Sequence, residues 1–486
     1  MQPYTPQQKP KYAVPLTDDA VAAIFRDAAD FTSREIFVGG SKLTLFFLDG
    51  LTSGSEIALQ VLRPLAELPP MPQRKLLSAC LHGAVYNATA EQCADVDAVC
   101  RKLVNGCCVL VFSELHTAVS FEVKTGEKRA TAPPDVESTV KGAKDAFTET
   151  LRTNTSLVRR HLRLPELQIT QTTVGRKSGT TVAVISVRGL TDPALIKEIQ
   201  TRLDALDIDG MVTPAAAEEY LTGSRKTAFP MVQFTERPDR FAQSLLDGQV
   251  GVLIDGLPLG YLLPVNVGLL LTAAEDRGSG YVLASCVRVV RYLALLTSLL
   301  LPALYIAMAE FHPAMIPTKL LSAIIESKQN VPFSTVAEVL GLLISFELLQ
   351  EAGLHLPKSV GHTVSIVGGL VVGSAAVDAK LISPAALIVA SVAGICGYAV
   401  PEQDFSGAIR VWRFVLSVCA ALAGLYGVTV GMLVLLVHLG ELDSCGKPYL
   451  APFSAITADG AMLRRRLVTQ KFRNPFLHPQ DRRNQR

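Results

Sequence analysis

Residues 292–309 read YLALLTSLLLPALYIAMA and residues 414–440 read FVLSVCAALAGLYGVTVGMLVLLVHLG. The first stretch has no charge, and the second has no Asp, Glu, Lys or Arg and only His438 as a group that charges near neutral pH. A helix crossing the hydrocarbon core of a bilayer needs about 20 predominantly apolar residues. Two further windows, 359–377 with only His362 and 381–401, are also free of Asp, Glu, Lys and Arg. Several such windows in one half of a chain predict an α-helical polytopic membrane domain over 281–445, with four to five transmembrane helices. Residues 333–352 are apolar but carry Glu338, Glu347 and Glu351. Carboxylates are costly at membrane depth, so this segment reads as an interfacial or re-entrant helix, or as a span facing a polar cavity. Glu347 and Glu351 share a helical face, which is expected to meet water or a cation pathway, or else the headgroup zone.

Working outward, the tail 446–486 is basic. Arg464, Arg465, Arg466, Lys471, Arg473, Arg482, Arg483 and Arg486 are opposed from Arg464 onward only by Asp481. By the positive-inside rule this tail is cytosolic. The N-terminal stretch is polar and proline-rich and lacks the pattern of a secretory signal, so the first half is expected in the cytosol as well. With both ends inside, the number of full spans is even. Four spans fit, with 333–352 not spanning.

Upstream of the membrane domain the sequence predicts an α/β soluble region of two small modules after a flexible lead-in at 1–20. The first module, 21–135, carries an apolar pair of strands at 36–38 and 42–48, helical periodicity over 55–81, and strands at 107–112 and 118–123. The second, 136–280, carries helices at 143–162 and 193–206 and strands at 181–187 and 250–254. Strand order is not legible.

Of the 486 residues 49% are hydrophobic and 19% charged, which excludes a disordered chain. Net charge is +2, from 46 basic and 44 acidic residues, so nothing points to nucleic acid. None of the nine cysteines forms a C-x-x-C pair, and no Cys/His spacing suits a structural zinc. Phosphate-binding loops, dinucleotide fingerprints, nucleophile elbows and H-E-x-x-H are all absent. The expectation is a non-enzymatic protein with no cofactor. A membrane-anchored enzyme and a secondary transporter are the rival classes. No internal repeat supports the transporter.

The 359–377 window is rich in small residues: Gly368, Gly369, Gly373, Ser374, Ala375 and Ala376. Small residues let helices approach closely. Val364, Val367, Val371 and Ser374 form one helical row, and Asp378 continues it at the mouth. Two readings stand side by side, packing inside one subunit and a pore lining with a hydrophobic constriction.

Residues 231–276 contain Thr235-Glu236-Arg237-Pro238-Asp239, then Leu245-Leu246-Asp247-Gly248-Gln249-Val250, Ile254-Asp255-Gly256-Leu257-Pro258 and Ala274-Glu275-Asp276. These resemble the signature of A subunits of the GerA family of bacterial spore germination receptors. Asn154-Thr155-Ser156-Leu157-Val158-Arg159-Arg160, Phe311-His312-Pro313, Val331-Pro332-Phe333, the glycine-rich window and Gly446-Lys447-Pro448-Tyr449-Leu450-Ala451-Pro452 extend the likeness. The chain departs from the family pattern at His355, Ser374 and 140–142.

The resemblance implies a multi-pass protein of the spore inner membrane. It implies partnership with B and C receptor subunits and assembly as a homo-oligomer, the pentamer being the expected form, into a ligand-gated cation channel. A stage V sporulation AF-type accessory subunit is the alternative within the family. Glu236, Arg237, Pro238, Asp239, Asn154, Arg159 and Arg160 become candidates for coupling or assembly. Pro238 is expected to hold Arg237 extended, and Asp239 to cap a helix starting at Arg240.

Overall fold

The computed structural model describes residues 11–124, 133–134, 137, 142–211, 213–222, 227–355, 373, 375–451 and 453. The chain divides into two compact units. One holds the chain through Ser224 together with Val232–Pro264, and the other holds Arg225–Met231 and the chain from Val265. The connector 265–280, which the sequence groups with the second soluble module, therefore clusters with the membrane segment.

The first unit contains two five-stranded sheets. The first sheet uses β1 (Phe31–Val38), β2 (Ser41–Leu48), β3 (Ala90–Cys93), β4 (Cys107–Phe112) and β5 (Thr117–Glu122) in the order β1-β2-β4-β5-β3. The second uses β6 (Leu167–Val174), β7 (Thr180–Val187), β8 (Gln233–Thr235), β9 (Val250–Ile254) and β10 (Gly260–Leu263) in the order β6-β7-β9-β10-β8. Every pairing within these sheets is antiparallel. The unit is thus a mixed helix-and-sheet structure whose strands pair without the parallel crossovers of a doubly wound fold.

The β1–β2 hairpin turns at Gly39-Gly40, both at positive φ, with Val38 opposite Ser41. That is the two-residue turn whose twist suits a hairpin. Alternate residues of the first sheet feed two apolar clusters. Phe46, Leu48, Val109 and Val111 pack with the Asp18–Ile24 and Val96–Val104 helices. Leu43, Leu45, Leu110 and Phe112 pack with the helical segment 54–66 and the Gln73–Leu81 helix. Helical periodicity over 55–81 is interrupted between these last two elements, where Pro69, Pro70 and Pro72 stand.

The two sheets are joined by charge. Arg159, fully buried on the Leu151–His161 helix, donates from Nε to Asp30 Oδ2 at 2.7 Å and from Nη2 to Asp30 Oδ1 at 2.8 Å. Its Nη1 reaches the Leu164 carbonyl at 3.3 Å. Ala28 pairs with Ile169 in a short bridge alongside, and Asp27 accepts from Arg188 and Gln168, each at 2.8 Å.

The second unit is helical. The Tyr281–Ile306 helix continues through a π turn to Phe311, giving a 31-residue apolar element. The Thr335–His355 helix and the 15-residue Pro384–Tyr398 helix follow. The stretch from Gln403 to Glu441 is two helices, because Ala423 and Gly424 (φ 57°, ψ −139°) leave helical geometry. The second helix doubles back on the first. The Trp412 and His438 rings lie 5.9 Å apart, whereas a straight helix would separate these positions by about 39 Å.

The expected single span over 414–440 is therefore corrected to a helical hairpin, 403–422 and 425–441. Among the described residues, 281–311 is one apolar element long enough to cross a membrane, 403–441 is an apolar stretch of comparable length folded into two arms, and Pro384–Tyr398 is a shorter apolar helix. The window 359–377 lies almost wholly outside the described residues. The unit is apolar on its outside as well as its inside: Val282, Leu283, Val290, Leu293, Tyr426, Leu433 and Val437 are all exposed. That is the surface of a protein solvated by lipid rather than by water.

Removing one partner of a buried ion pair strands the other charge, at a cost of about 3–5 kcal/mol. Arg159→Ala should destabilise the soluble unit by that order. Arg159→Met combined with Asp30→Leu should recover most of the loss. Denaturant unfolding of the purified full chain, with wild type and the two variants side by side, checks this.

Candidate functional site

The T-E-R-P-D stretch is built around a residue far away in sequence. Pro238 opens the Pro238–Leu246 helix, and Arg237 just before it is extended, at φ −102° and ψ 117°. The helix thus begins two residues earlier than expected, and Asp239 stands in its first turn rather than at its cap. From there the Asp239 carboxylate grips Arg237, Nε to Oδ1 at 3.0 Å and Nη2 to Oδ2 at 2.7 Å. Arg237 is buried and also donates to the Glu137 carbonyl at 3.3 Å. The Glu137 carboxylate in turn accepts from the Thr235 hydroxyl, from the Glu236 N–H at 3.1 Å and from Arg240. The Glu236 carbonyl accepts from the Phe147 N–H at 2.8 Å. Glu137 is thus the hub of the motif, and no local pattern in the sequence marks it as such.

The N-T-S-L-V-R-R stretch is organised by the same loop. Asn154 is fully buried and reaches back to Thr148, accepting from its N–H at 2.8 Å and donating to its carbonyl at 2.5 Å. Asp255, from the I-D-G turn after β9, accepts from the Leu151 N–H at 2.9 Å and so satisfies the start of this helix. Arg159 enters the buried pair with Asp30, while Arg160 is exposed. At the end of the helix His161 Nε2 lies 2.8 Å from Asp145 Oδ2. That hydrogen bond holds the His161 pKa above, and the Asp145 pKa below, their ordinary values.

Among the described residues of the membrane unit, Glu338, Glu347 and Asp276 each make polar contacts that tie one element to another. Glu338 is buried, and its Oε2 accepts from the Ser383 N–H at 2.7 Å, at the start of the Pro384–Tyr398 helix. A carboxylate there complements the positive end of the helix dipole. Glu347 is taken up by two arginines of the 403–422 helix: Arg410 Nη1 at 2.8 Å and Arg413 Nη2 at 2.9 Å. Arg413 is buried and donates also to the Ala393 carbonyl at 3.3 Å. The cluster ties three helices together. Glu351, one turn further along, is exposed. Asp276, of the Ala-Glu-Asp motif, holds Arg291 at 2.9 and 3.2 Å and Arg288 at 3.3 Å, and Arg291 also donates to the Leu271 carbonyl at 2.6 Å.

Of the pore candidates, Val364, Val367, Val371 and Ser374 lie outside the described residues. Asp378 ends the short Ala376–Asp378 helix and is exposed. Among the described residues no group of three or more His, Cys, Asp or Glu side chains could hold a metal ion.

The hairpin is closed by glycine. A Cβ at Gly427 would stand 2.0 Å from the Cys419 carbonyl oxygen, and one at Gly431 would stand 2.7 Å from Leu416. A Cβ at Gly440 would meet nothing within 4 Å. Gly427→Ala should therefore lower the thermal stability of the full chain in detergent, by about 1–3 kcal/mol of overpacking. Gly440→Ala should be neutral. A scan of both variants by thermal melt decides it.

A pH prediction follows from His161. Its contribution to stability is fully present below the unfolded pKa of about 6.5 and is lost as pH rises through the raised folded value. The contribution of Asp145 is present above its unfolded value of about 3.9 and is lost as pH falls through the depressed folded one. The stability gap between wild type and His161→Gln should be wider at about pH 6 than at about pH 8.5 in denaturant unfolding.

The family described as Bacillus/Clostridium GerA spore germination protein matches residues 19–480. Spore germination protein KA of Bacillus subtilis (strain 168) is 32% identical over 89% of this chain and 80% of its own length. Spore germination protein A1 of the same organism is 34% identical over 75% of this chain and 76% of its own. The uncharacterized membrane protein YfkQ, also from that organism, is 35% identical over 74% and 70%. The match extends over nearly the whole sequence and is shared by relatives more than 30% identical over most of their length, so the chain belongs to the GerA family of spore germination proteins.

Proposed function

We propose that the chain is the A-type subunit of a nutrient germinant receptor in the spore inner membrane, assembling with copies of itself and with B and C subunits into a ligand-gated cation channel. The observation that carries the receptor reading is the family match across 19–480, shared with relatives named as spore germination proteins. The channel reading draws support from the membrane unit. Large apolar side chains stand on its exterior, while Glu347, Arg410 and Arg413 form a paired cluster between helices. The row Val364, Val367, Val371 and Ser374, with Asp378 beyond it, is the proposed lining, closed by dewetting between valines. A ring of Asp378 carboxylates from several copies would concentrate cations at its mouth. Arg237, Asp239 and Glu236 serve to keep the soluble unit in one conformation for assembly.

The test is potassium release from spores in the absence of nutrient. Val364→Ala, Val367→Ala and Val371→Ala should widen and wet the constriction, giving leak and nutrient-independent germination. Ordinary core packing predicts the opposite: destabilised subunit and lost response. No leak from any of the three, at normal abundance and assembly, overturns the lining.

A further inference from the structure

The chain passes between its two units at Met231/Val232 and again at Pro264/Val265. β8 begins two residues after the first crossing, and β10 ends two residues before the second. These strands are hydrogen-bonded neighbours, with Leu262 opposite Gln233. Both crossings therefore issue from one edge of one sheet.

Within the second unit a single side chain holds both. The Ser444 hydroxyl accepts from the Val265 N–H at 3.0 Å and donates to the Met231 carbonyl at 3.0 Å. Ser444 is 1% exposed, so neither backbone group has water as an alternative partner. It stands in the turn after the helical hairpin, where Asp443–Ser444 pairs with Lys447–Pro448 around Cys445 and Gly446, both at positive φ. The rest of that turn grips the same two segments. The Tyr449 carbonyl accepts from the Val267 N–H at 2.9 Å, and the Ala451 carbonyl accepts from the Gly268 N–H at 3.1 Å. On the other connector the Phe229 ring lies 6.2 Å from Tyr449, 5.8 Å from Phe405 and 6.1 Å from His438. His438 is also 3.0 Å from the Thr227 hydroxyl. Phe405 and His438 belong to the open ends of the two hairpin helices, so both connectors are fastened at the hairpin's foot.

We propose that Ser444 is a positioning residue for signal transfer: through its one hydroxyl, any shift of the 403–441 hairpin is delivered to both connectors at once, and through them to β8 and β10. Two connectors held by separate anchors could slide past each other and absorb the shift. A shared hydroxyl makes them move as a pair. The role of the post-helix Gly446–Ala451 turn is then to present Ser444 and the Tyr449 and Ala451 carbonyls, and not merely to end a helix. The proposal rests on the receptor reading given above.

The experiment uses spores in which the gene carries Ser444→Ala or Ser444→Thr. They are challenged with a mixture of amino acids, sugars and nucleosides, and potassium release is the readout. Ser444→Ala should accumulate and assemble as wild type yet need roughly 5- to 150-fold more nutrient for a half-maximal response, the usual range of a coupling free energy. Ser444→Thr, which keeps the hydroxyl, should respond as wild type. In the purified full chain, hydrogen exchange at the Val265 amide should accelerate in the Ala variant alone. A normal response in Ser444→Ala overturns the proposal. So does failure of that variant to accumulate, which would make Ser444 a stability residue, and so does equal loss in Ser444→Thr, which would place the effect on side-chain size. Deletion of the whole gene separates the two readings. Loss on deletion with a normal Ser444→Ala response overturns the coupling role alone, whereas an unchanged response on deletion overturns the receptor reading and the coupling role with it.

Discussion

The reversal at Ala423-Gly424 is the constraint on which the second unit depends. Gly424 sits at φ 57° and ψ −139°, a conformation that L side chains rarely adopt, and a Cβ there would lie 2.9 Å from Phe311. Because the chain turns at that point, 403–422 and 425–441 lie side by side. Because Gly427 and Gly431 have no side chains, the two helices come close enough for Cys419 and Leu416 to fill the space between them. The consequence appears at the other end of the pair. Phe405 and His438, 33 positions apart, both reach the Phe229 ring. The turn carrying Ser444 and Tyr449 is then delivered to the segments that lead into the second sheet.

The ionised groups obey a second constraint. A charge away from water is tolerated only when paired and hydrogen-bonded, and removing one partner costs more than the pair contributes. Arg159 with Asp30, Arg237 with Asp239 and Arg413 with Glu347 are all of this kind, each arginine nearly or wholly buried. Arginine suits the task because its planar fork offers several donors to one carboxylate and to nearby carbonyls at once. Each of these arginines does both, at Leu164, Glu137 and Ala393 respectively. Arg237 and Asp239 of the T-E-R-P-D run are thus a locking device of the same type as the pair that joins the two sheets.

How much of this was legible in the sequence varies with how local the cause is. The strand Val250–Ile254 and the helix at Pro193 are readable because the first is five buried residues in a row and the second opens on Asp192-Pro193, with the Asp192 side chain capping it. β3 reads Ala-Glu-Gln-Cys with two exposed positions, and β8 is three residues long, so neither carries a periodic signal. The hairpin was hidden because an uninterrupted apolar run looks the same whether it is straight or folded on itself. From the sequence its first helix looks shorter than it is, because the charges of Arg410 and Arg413 end the apolar window. They stand inside the helix because Glu347 is opposite them, and that pairing spans more than sixty residues of sequence. Glu137 was illegible as a hub for the same reason: its partners Thr235, Glu236 and Arg240 lie about a hundred residues away.

These separations bear on why the signature stretches of the sequence are what they are. Met231, Val265 and Ser444 are brought to one hydroxyl from three places in the chain, and Phe147, Asn154, Arg237 and Asp255 meet around one loop. In some cases a short recognisable run supplies one side of a contact whose other side is another such run; in others, as at Glu137, the other side carries no pattern of its own. Asp255-Gly256 caps the helix of the Asn154 run, with the Gly256 N–H donating to the Glu149 carbonyl at 2.7 Å. The post-helix Tyr449-Leu450-Ala451 run holds the start of the Asn266–Leu271 connector, and Asp276 holds the base of the first long helix through Arg291. Read singly, each run is a turn or a cap. Taken together, some of them are the two sides of one contact within a unit, as Asp255 and the start of the Asn154 helix are.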